Sequence, residues 1–297
     1  MDGNSTFPAT AKLRRILAIV ECDDDAPIVL EKALSLARLC GARVEAVVTD
    51  AAQMRSVMKL CSSLNDDQIL VSCVYRGAGP LAELVLNRMD TSTPDLIVKS
   101  PDISDPMLVA ESAVPVLIAR TQPWNHTTPR IAVVVEAADN AQLESSRATL
   151  AAATRLALDC RGNLDILYSE PELDDETVRM ERAVKVAKLS REVNSGYGRL
   201  QMFSGAPHVR LPPLIAARNY DVLVLGARIH SAHRFADATC ADIMFVRAAV
   251  HAEARMAARR PDSRRQQRAH QLQQAFRMDR LADDAQMRVG LEFADRG

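Results

Sequence analysis

Arg15–Glu21 reads RILAIVE, and Arg130–Glu136 reads RIAVVVE. Both are apolar runs that begin on arginine and close on a carboxylate. The echo continues downstream in the same order. Asp95–Ser100 (DLIVKS) is answered by Asp221–Gly226 (DVLVLG), and Pro115–Arg120 (PVLIAR) by Asp242–Arg247 (DIMFVR). The offset is 115 residues at the first pair, 126 at the second and 127 at the third. Small insertions inside a duplicated unit produce that drift, whereas chance apolar runs would not preserve the order. The chain reads as a tandem repeat of one α/β unit.

Apolar runs without alternation mark parallel strands covered on both faces. In the first copy Ile16–Val20 is such a strand, and Asp25 is placed to cap a helix starting near Pro27. Leu30, Ala33, Leu34 and Ala37 give that helix its apolar stripe, and Gly41 ends it. Val44–Val48 is strand two. A helix over Ala51–Leu64 follows, with Met54, Val57, Met58 and Cys61 on one side. Strand three, Ile69–Tyr75, leads through Gly77 and Gly79 into a short helix that turns Leu81, Leu84, Val85 and Met89 inward. Asp95–Val98 and Val116–Ile118 supply strands four and five.

The second copy repeats the plan. Its strands are Ile131–Val135, Leu164–Tyr168, Leu200–Phe203, Val222–Leu225 and Ile243–Val246. A long helix over Leu143–Leu158 carries Leu150, Thr154 and Ala157 along one side. The next helix has an acidic start at Glu170–Glu176, favourable beside its exposed N–H groups, and an inner stripe of Val178, Ala183, Val186 and Leu189. A short helix over Arg210–Arg218 can accept Pro212 and Pro213 only at its start. Thr121–Pro129 (TQPWNHTTP) links the copies and holds the single tryptophan, Trp124, whose expected role is to wedge between domains. The expected units are 13–121 and 129–247, followed by an extension at 248–297. Their fold class is α/β, two tandem Rossmann-like doubly wound, mostly parallel five-stranded sheets.

Composition narrows the function classes. With 297 residues, 48% of them apolar, each copy can support its own core. Aromatics at 4% argue against stacked-base recognition, and a net charge of −1 gives no dominant sign. Six cysteines occur without a CxxC pair, so they read as small core residues in a reducing compartment. No run of 18 uncharged apolar residues occurs, so no membrane span is expected, and the cytoplasm is the expected location.

The strand order, the carboxylate closing strand one, the glycine turn before the third helix and the DLIV and PVLI endings resemble the universal stress protein family. DLIVKS at Asp95–Ser100 and PVLIARTQPW at Pro115–Trp124 are similar to its tandem members. The resemblance covers roughly Leu13–Arg247 and implies the adenine nucleotide alpha hydrolase-like version of the fold. It also implies stress-response function and, in many members, ATP binding. There a carboxylate at the end of strand one contacts the nucleotide. A loop of Gly, two residues, Gly, nine residues and Gly-Ser or Gly-Thr after strand four holds the phosphates. Glu21 and Glu136 occupy the carboxylate position.

The phosphate loop is where this chain departs. In copy one, strand four runs into Lys99-Ser100-Pro101, with no glycine between Gly79 and Gly162. In copy two Gly226 matches the first glycine, but Ile229 stands at the second, and none follows before Asp242. Backbone N–H groups surround a phosphate only where the chain can take positive φ and approach closely. A β-branched residue suits neither requirement, so no ATP binding and no cofactor are expected.

The pocket candidates are therefore Glu21, Lys99, Glu136, Gly205 and Gly226. Glu21 and Glu136 lie where open α/β sheets form crevices, either as remnants of a pocket or as solvated carboxylates. Lys99 either meets an anion at the sheet edge or lifts its amine to water. Gly77, Gly79 and Gly205 read as turn residues. His230 and His233, with Asp237 and Cys240 nearby, lack the ligand set of a zinc site, and Asp23–Asp25 lacks the loop of a calcium site. Ser100 and Ser204 have no nucleophile-elbow context.

The extension is Arg-rich. Between His251 and Arg280 eight arginines face three acids. The chain is expected to be non-enzymatic, working through ligand or partner binding, with its two sheets face to face as an intramolecular pseudo-dimer and the fifth strands as candidates for contact. A homodimer or another protein partner is compatible with this. Two alternatives stand beside it: an ATP-binding or ATP-hydrolysing protein using the second domain, and a nucleic-acid-associated regulator acting through the Arg-rich tail. Nucleic acid is the less favoured partner.

Overall fold

A computed structural model describes residues 12–21, 24, 26–48, 53–64, 71–75, 93–101, 108–110, 112–170, 175–194, 197–205, 207–227 and 239–247. The first half comprises β1 (Arg15–Val20), α1 (Ala26–Cys40), β2 (Arg43–Val48), α2 (Met54–Leu64), β3 (Val71–Tyr75), β4 (Leu96–Lys99) and β5 (Val116–Ile118). The second comprises β6 (Arg130–Val135), α3 (Asn140–Asp159), β7 (Asn163–Glu170), α4 (Glu176–Asn194), β8 (Arg199–Ser204), α5 (Pro207–Arg218), β9 (Val222–Gly226) and β10 (Asp242–Val246). The helix expected over Leu81–Met89 falls outside the described residues.

The expected pair of five-stranded sheets is in fact one sheet. Its ten strands run β3-β2-β1-β4-β5-β10-β9-β6-β7-β8, so the second half repeats the order of the first in reverse. All neighbours are parallel except β5 and β10, which pair antiparallel through Val116↔Phe245, Leu117↔Met244 and Ile118↔Ile243. The halves therefore join edge to edge, not face to face. The physical reason lies in the fifth strands, whose residues are buried throughout. Each would otherwise present unpaired N–H and C=O groups at an apolar sheet edge.

Joining the edges makes both helical layers continuous. On one face, Ile16, Ala18 and Val20 of β1 pack in the same cluster as α1, α2, α3 and α4 residues and Val133 of β6. The alternate residues Leu17 and Ile19 share the opposite cluster with Ala132 and Val134 of β6, Leu211 and Ile215 of α5, and Phe245. Period-two alternation thus supplies two apolar faces from one apolar run.

Helix boundaries follow local chemistry. Gly41, at φ 71, ends α1 in the left-handed conformation, and its N–H and that of Ala42 both reach the Ala37 carbonyl. Asp139 caps α3 by accepting from the Gln142 N–H at 2.7 Å, while the Gln142 side chain reaches back to the Ala138 N–H. α5 departs from expectation. It starts at Pro207 and carries Pro212 and Pro213 inside, not at its start. The two prolines remove backbone donors, and burial of Leu211 and Ile215 on the sheet offsets that loss. Two stripe residues also differ: Met58 and Val178 are exposed, whereas Val57, Cys61, Val186 and Leu189 are buried.

Candidate functional site

The carboxyl end of the first half-sheet brings two of the predicted residues together. Lys99 is in register with Ile19 and shares its face of the sheet, and Glu21 lies one pleat beyond Ile19 on that face. Lys99 Nζ and Glu21 Oε2 are 2.9 Å apart. The lysine is fully buried and the glutamate side chain is 21% exposed, so the amine does not rise to water as an isolated edge lysine would. A buried ammonium needs an opposite charge, and Glu21 supplies it. The carboxylate that the family resemblance assigns to a nucleotide here neutralises a cation of the chain itself. Beside it, the Ser100 hydroxyl is buried without a hydrogen-bond partner among the described residues.

The second half has a different arrangement. Leu225 stands at the position of Lys99, and Gly226 at that of Ser100. Glu136 closes β6; its backbone N–H and carbonyl both bond the Ser146 hydroxyl of α3 at 2.8 Å. A Cβ on Gly226 would meet Ser145 Oγ at 2.9 Å and Thr149 Oγ1 at 3.3 Å. The glycine is therefore required by close packing of α3 on the end of β9. Gly205 takes φ 104 after β8, and its carbonyl accepts from the Ser169 hydroxyl, a turn role as expected.

Gly77, Gly79, His230, His233, Asp237, Asp23, Asp25 and residues 248–297 lie outside the described residues. Cys240 and Ser204 are exposed. Among the described residues no three His, Cys, Asp or Glu side chains gather as metal ligands. No described helix is long and apolar enough to cross a membrane.

Two constellations were not singled out by sequence reasoning. The first joins the halves around Asp242, at the start of β10. Its carboxylate accepts from the Arg120 N–H at 2.7 Å, from Trp124 Nε1 at 2.7 Å and from Lys32 Nζ at 2.9 Å. Lys32 also donates to the Gln122 carbonyl and lies 5.2 Å from the centre of the Trp124 ring. Burial pushes the Asp242 carboxyl above its ordinary value, against the pull of Lys32 and the N–H donors. Trp124 therefore does wedge between the repeats, but through a shared buried carboxylate. The only sequence signals were a lysine within an apolar helix stripe and an aspartate opening an apolar strand.

The second constellation lies at the amino end of the second half-sheet, opposite the end that bears Glu136. A cavity of about 450 Å³ is lined by His126, Arg130, Asn163, Asp165, Tyr197 and Arg199, among others. Asp165, buried, accepts from the Tyr220 hydroxyl at 2.6 Å and faces Arg130 and Arg199 at 3.4 Å each. Arg130 lies over the Tyr220 ring at 5.0 Å. Burial and the adjacent carboxylate push the Tyr220 hydroxyl up to about 12. His126 Nδ1 is 2.8 Å from Asp221, which also receives the Asn125 and Arg130 N–H groups. This network ties the linker to β6, β7 and β9.

No family model matches the sequence, and no curated protein matches it. Solved structures do share its fold. A functionally unknown protein from Pseudomonas aeruginosa PAO1 superposes with a TM-score of 0.64 at 19% identity, over 80% of this chain and 93% of that one. A putative universal stress protein from Pseudomonas aeruginosa UCBPP-PA14 gives 0.63 at 20% identity, over 79% and 93%. A universal stress protein from Archaeoglobus fulgidus DSM 4304 gives 0.55 at 10% identity, over 80% and 97%. The class is thus an α/β protein with a mostly parallel sheet, in the fold of universal stress proteins.

Proposed function

We propose that this chain is a tandem universal stress protein, similar to universal stress protein E, that acts in stress response by binding a ligand or partner and has no catalytic turnover. Its place of action is the cytoplasm. The likeness of fold supports the family, and the repeated strand-one carboxylate supports the tandem form. One observation carries the non-nucleotide reading: Lys99, wholly buried, sits 2.9 Å from Glu21 in the first crevice. An incoming ATP would add negative charge where a carboxylate is already committed to the chain's own ammonium, and it would have to displace that pairing. In the second crevice Gly226 is engaged in packing against Ser145 and Thr149, not opened toward a phosphate.

Calorimetric titration of the full chain with ATP and magnesium tests this reading. The expected result is no heat of binding at micromolar nucleotide, together with no adenine nucleotide in native mass spectra of the purified protein. Micromolar binding that disappears in Glu136→Gln would overturn it in favour of an ATP-binding protein using the second half. Nucleic-acid binding lost on removal of residues after Arg247 would instead favour the regulator reading.

A further inference from the structure

The cavity at the amino end of the second half-sheet is built from four separate stretches of chain. His126 comes from the linker, Arg130 opens β6, Asn163 and Asp165 lie at the start of β7, and Tyr197 and Arg199 lead into β8. At about 450 Å³ it has the size of a small-molecule site. Its walls are richer in donors than in acceptors. Asp165 is the only carboxylate among the described lining residues, and its Oδ2 already receives the Tyr220 hydroxyl at 2.6 Å. Asp221, wholly buried, is committed to His126 Nδ1 and to the Asn125 and Arg130 N–H groups.

Two guanidiniums face the Asp165 carboxylate, Arg130 through Nη2 and Arg199 through Nε, each at 3.4 Å. A charge-assisted hydrogen bond is shorter, about 2.7–2.9 Å, so this one carboxylate saturates neither cation. Arg130 gives a further N–H to the Arg218 carbonyl at 2.8 Å. The Nη groups of Arg199 and the side-chain amide of Asn163 make no hydrogen bond among the described residues. We propose that this cavity binds the phosphate group of a small phosphorylated molecule. A tetrahedral oxyanion accepts from donors set on several elements, as Arg130, Asn163 and Arg199 are on three strands, whereas a planar carboxylate is served by a single fork. Bound phosphate supplies the short, charged contacts that Asp165 leaves unmade. Asp165 keeps both guanidiniums at the cavity, and the Tyr220 ring, 5.0 Å from Arg130, steadies one of them.

The first half shows that the fold does not require this arrangement. The register that sets Arg199 beside Asp165 sets Ser72 beside Glu45 there. Likewise Pro94 precedes Asp95 where Tyr220 precedes Asp221. The β8 guanidinium and the phenol thus belong to the second half alone. Such a site gives the binding protein proposed above a ligand class. It depends on neither crevice, because Glu136 lies at the opposite end of the second half-sheet.

The test is calorimetric titration of the full chain with inorganic phosphate, with sodium chloride holding the ionic strength constant. One site with a dissociation constant of about 0.1–1 mM is expected, far weaker than the micromolar nucleotide binding that would mark an occupied crevice. Acetate should bind at least about tenfold more weakly. Arg199→Ala, at a side chain 67% exposed, should weaken phosphate binding at least about tenfold without lowering the melting temperature, and Arg199→Lys should recover part of the loss. Lys188→Ala, which removes an exposed charge from α4, should leave the affinity unchanged. No phosphate binding below about 10 mM, equal binding of acetate, or an affinity indifferent to Arg199→Ala would overturn the proposal. Phosphate binding lost in Glu136→Gln but kept in Arg199→Ala would overturn it too, and would count against the non-nucleotide reading as well. The comparison of phosphate with acetate on the wild-type chain stands even if a variant fails to fold.

Discussion

Asp242→Asn is the sharpest probe of how the halves are held together. The substitution keeps shape and one acceptor oxygen, which can still serve the Arg120 N–H. It turns an amide donor toward Trp124 Nε1 and Lys32 Nζ, the two groups that Oδ2 now receives at 2.7 and 2.9 Å. Breaking a buried ion pair from one side costs about 3–5 kcal/mol, because the other charge is left without compensation. Lys32 keeps the Gln122 carbonyl at 2.8 Å and the Trp124 ring, so the lower end applies, about 3 kcal/mol. For a chain of this size that lowers the melting temperature by about 5–10 °C. Lys32→Met should cost less, about 2 kcal/mol, since Asp242 keeps the Arg120 and Trp124 N–H donors. The double substitution should cost less than the sum by at least about 1 kcal/mol. Urea unfolding followed by far-UV circular dichroism gives these numbers, and Trp124, the single tryptophan, reports the latch directly by fluorescence. A cost of Asp242→Asn below about 0.5 kcal/mol, or strictly additive substitutions, would refute the reasoning.

Acidity gives a second reading of the same group. Because the folded Asp242 carboxyl titrates above its ordinary 3.8, its contribution is fully present below that value and is lost as pH rises through the raised one. The stability difference between wild type and Asp242→Asn should therefore shrink as pH rises through that window and then stay flat to neutrality; a difference that grows would contradict it. Gly226→Ala should destabilise by about 1–2 kcal/mol through contact with Ser145 Oγ, with partial recovery in Gly226→Ala/Ser145→Ala, both measured by thermal unfolding. Tyr220→Phe removes the donor to buried Asp165 and should cost about 1–3 kcal/mol in urea unfolding; an unchanged midpoint would show that Arg130 and Arg199 already satisfy that carboxylate.

Strand content was legible because parallel strands covered on both faces are written as apolar runs, and RILAIVE needs no partner to be recognised. The stop at Gly41 was likewise local. The interior prolines of α5 were misplaced because helix rules count lost backbone bonds and cannot see Leu211 and Ile215 buried against the sheet. Of the site candidates, Glu21 and Lys99 were each visible alone, at two strand ends 78 residues apart. Their pairing required the β1–β4 register that sets Lys99 opposite Ile19.

The sequence by itself determined the duplicated α/β plan, the ten strands and the loss of glycines after strand four. These are written in local pattern: hydrophobic period, caps, and a repeat that conserves order. Only the tertiary structure decided that the fifth strands pair antiparallel into one sheet and that Asp242 gathers Lys32 and Trp124. Each depends on groups far apart in the chain, whose meeting is set by closing an apolar edge and by satisfying buried charge. No local pattern encodes either.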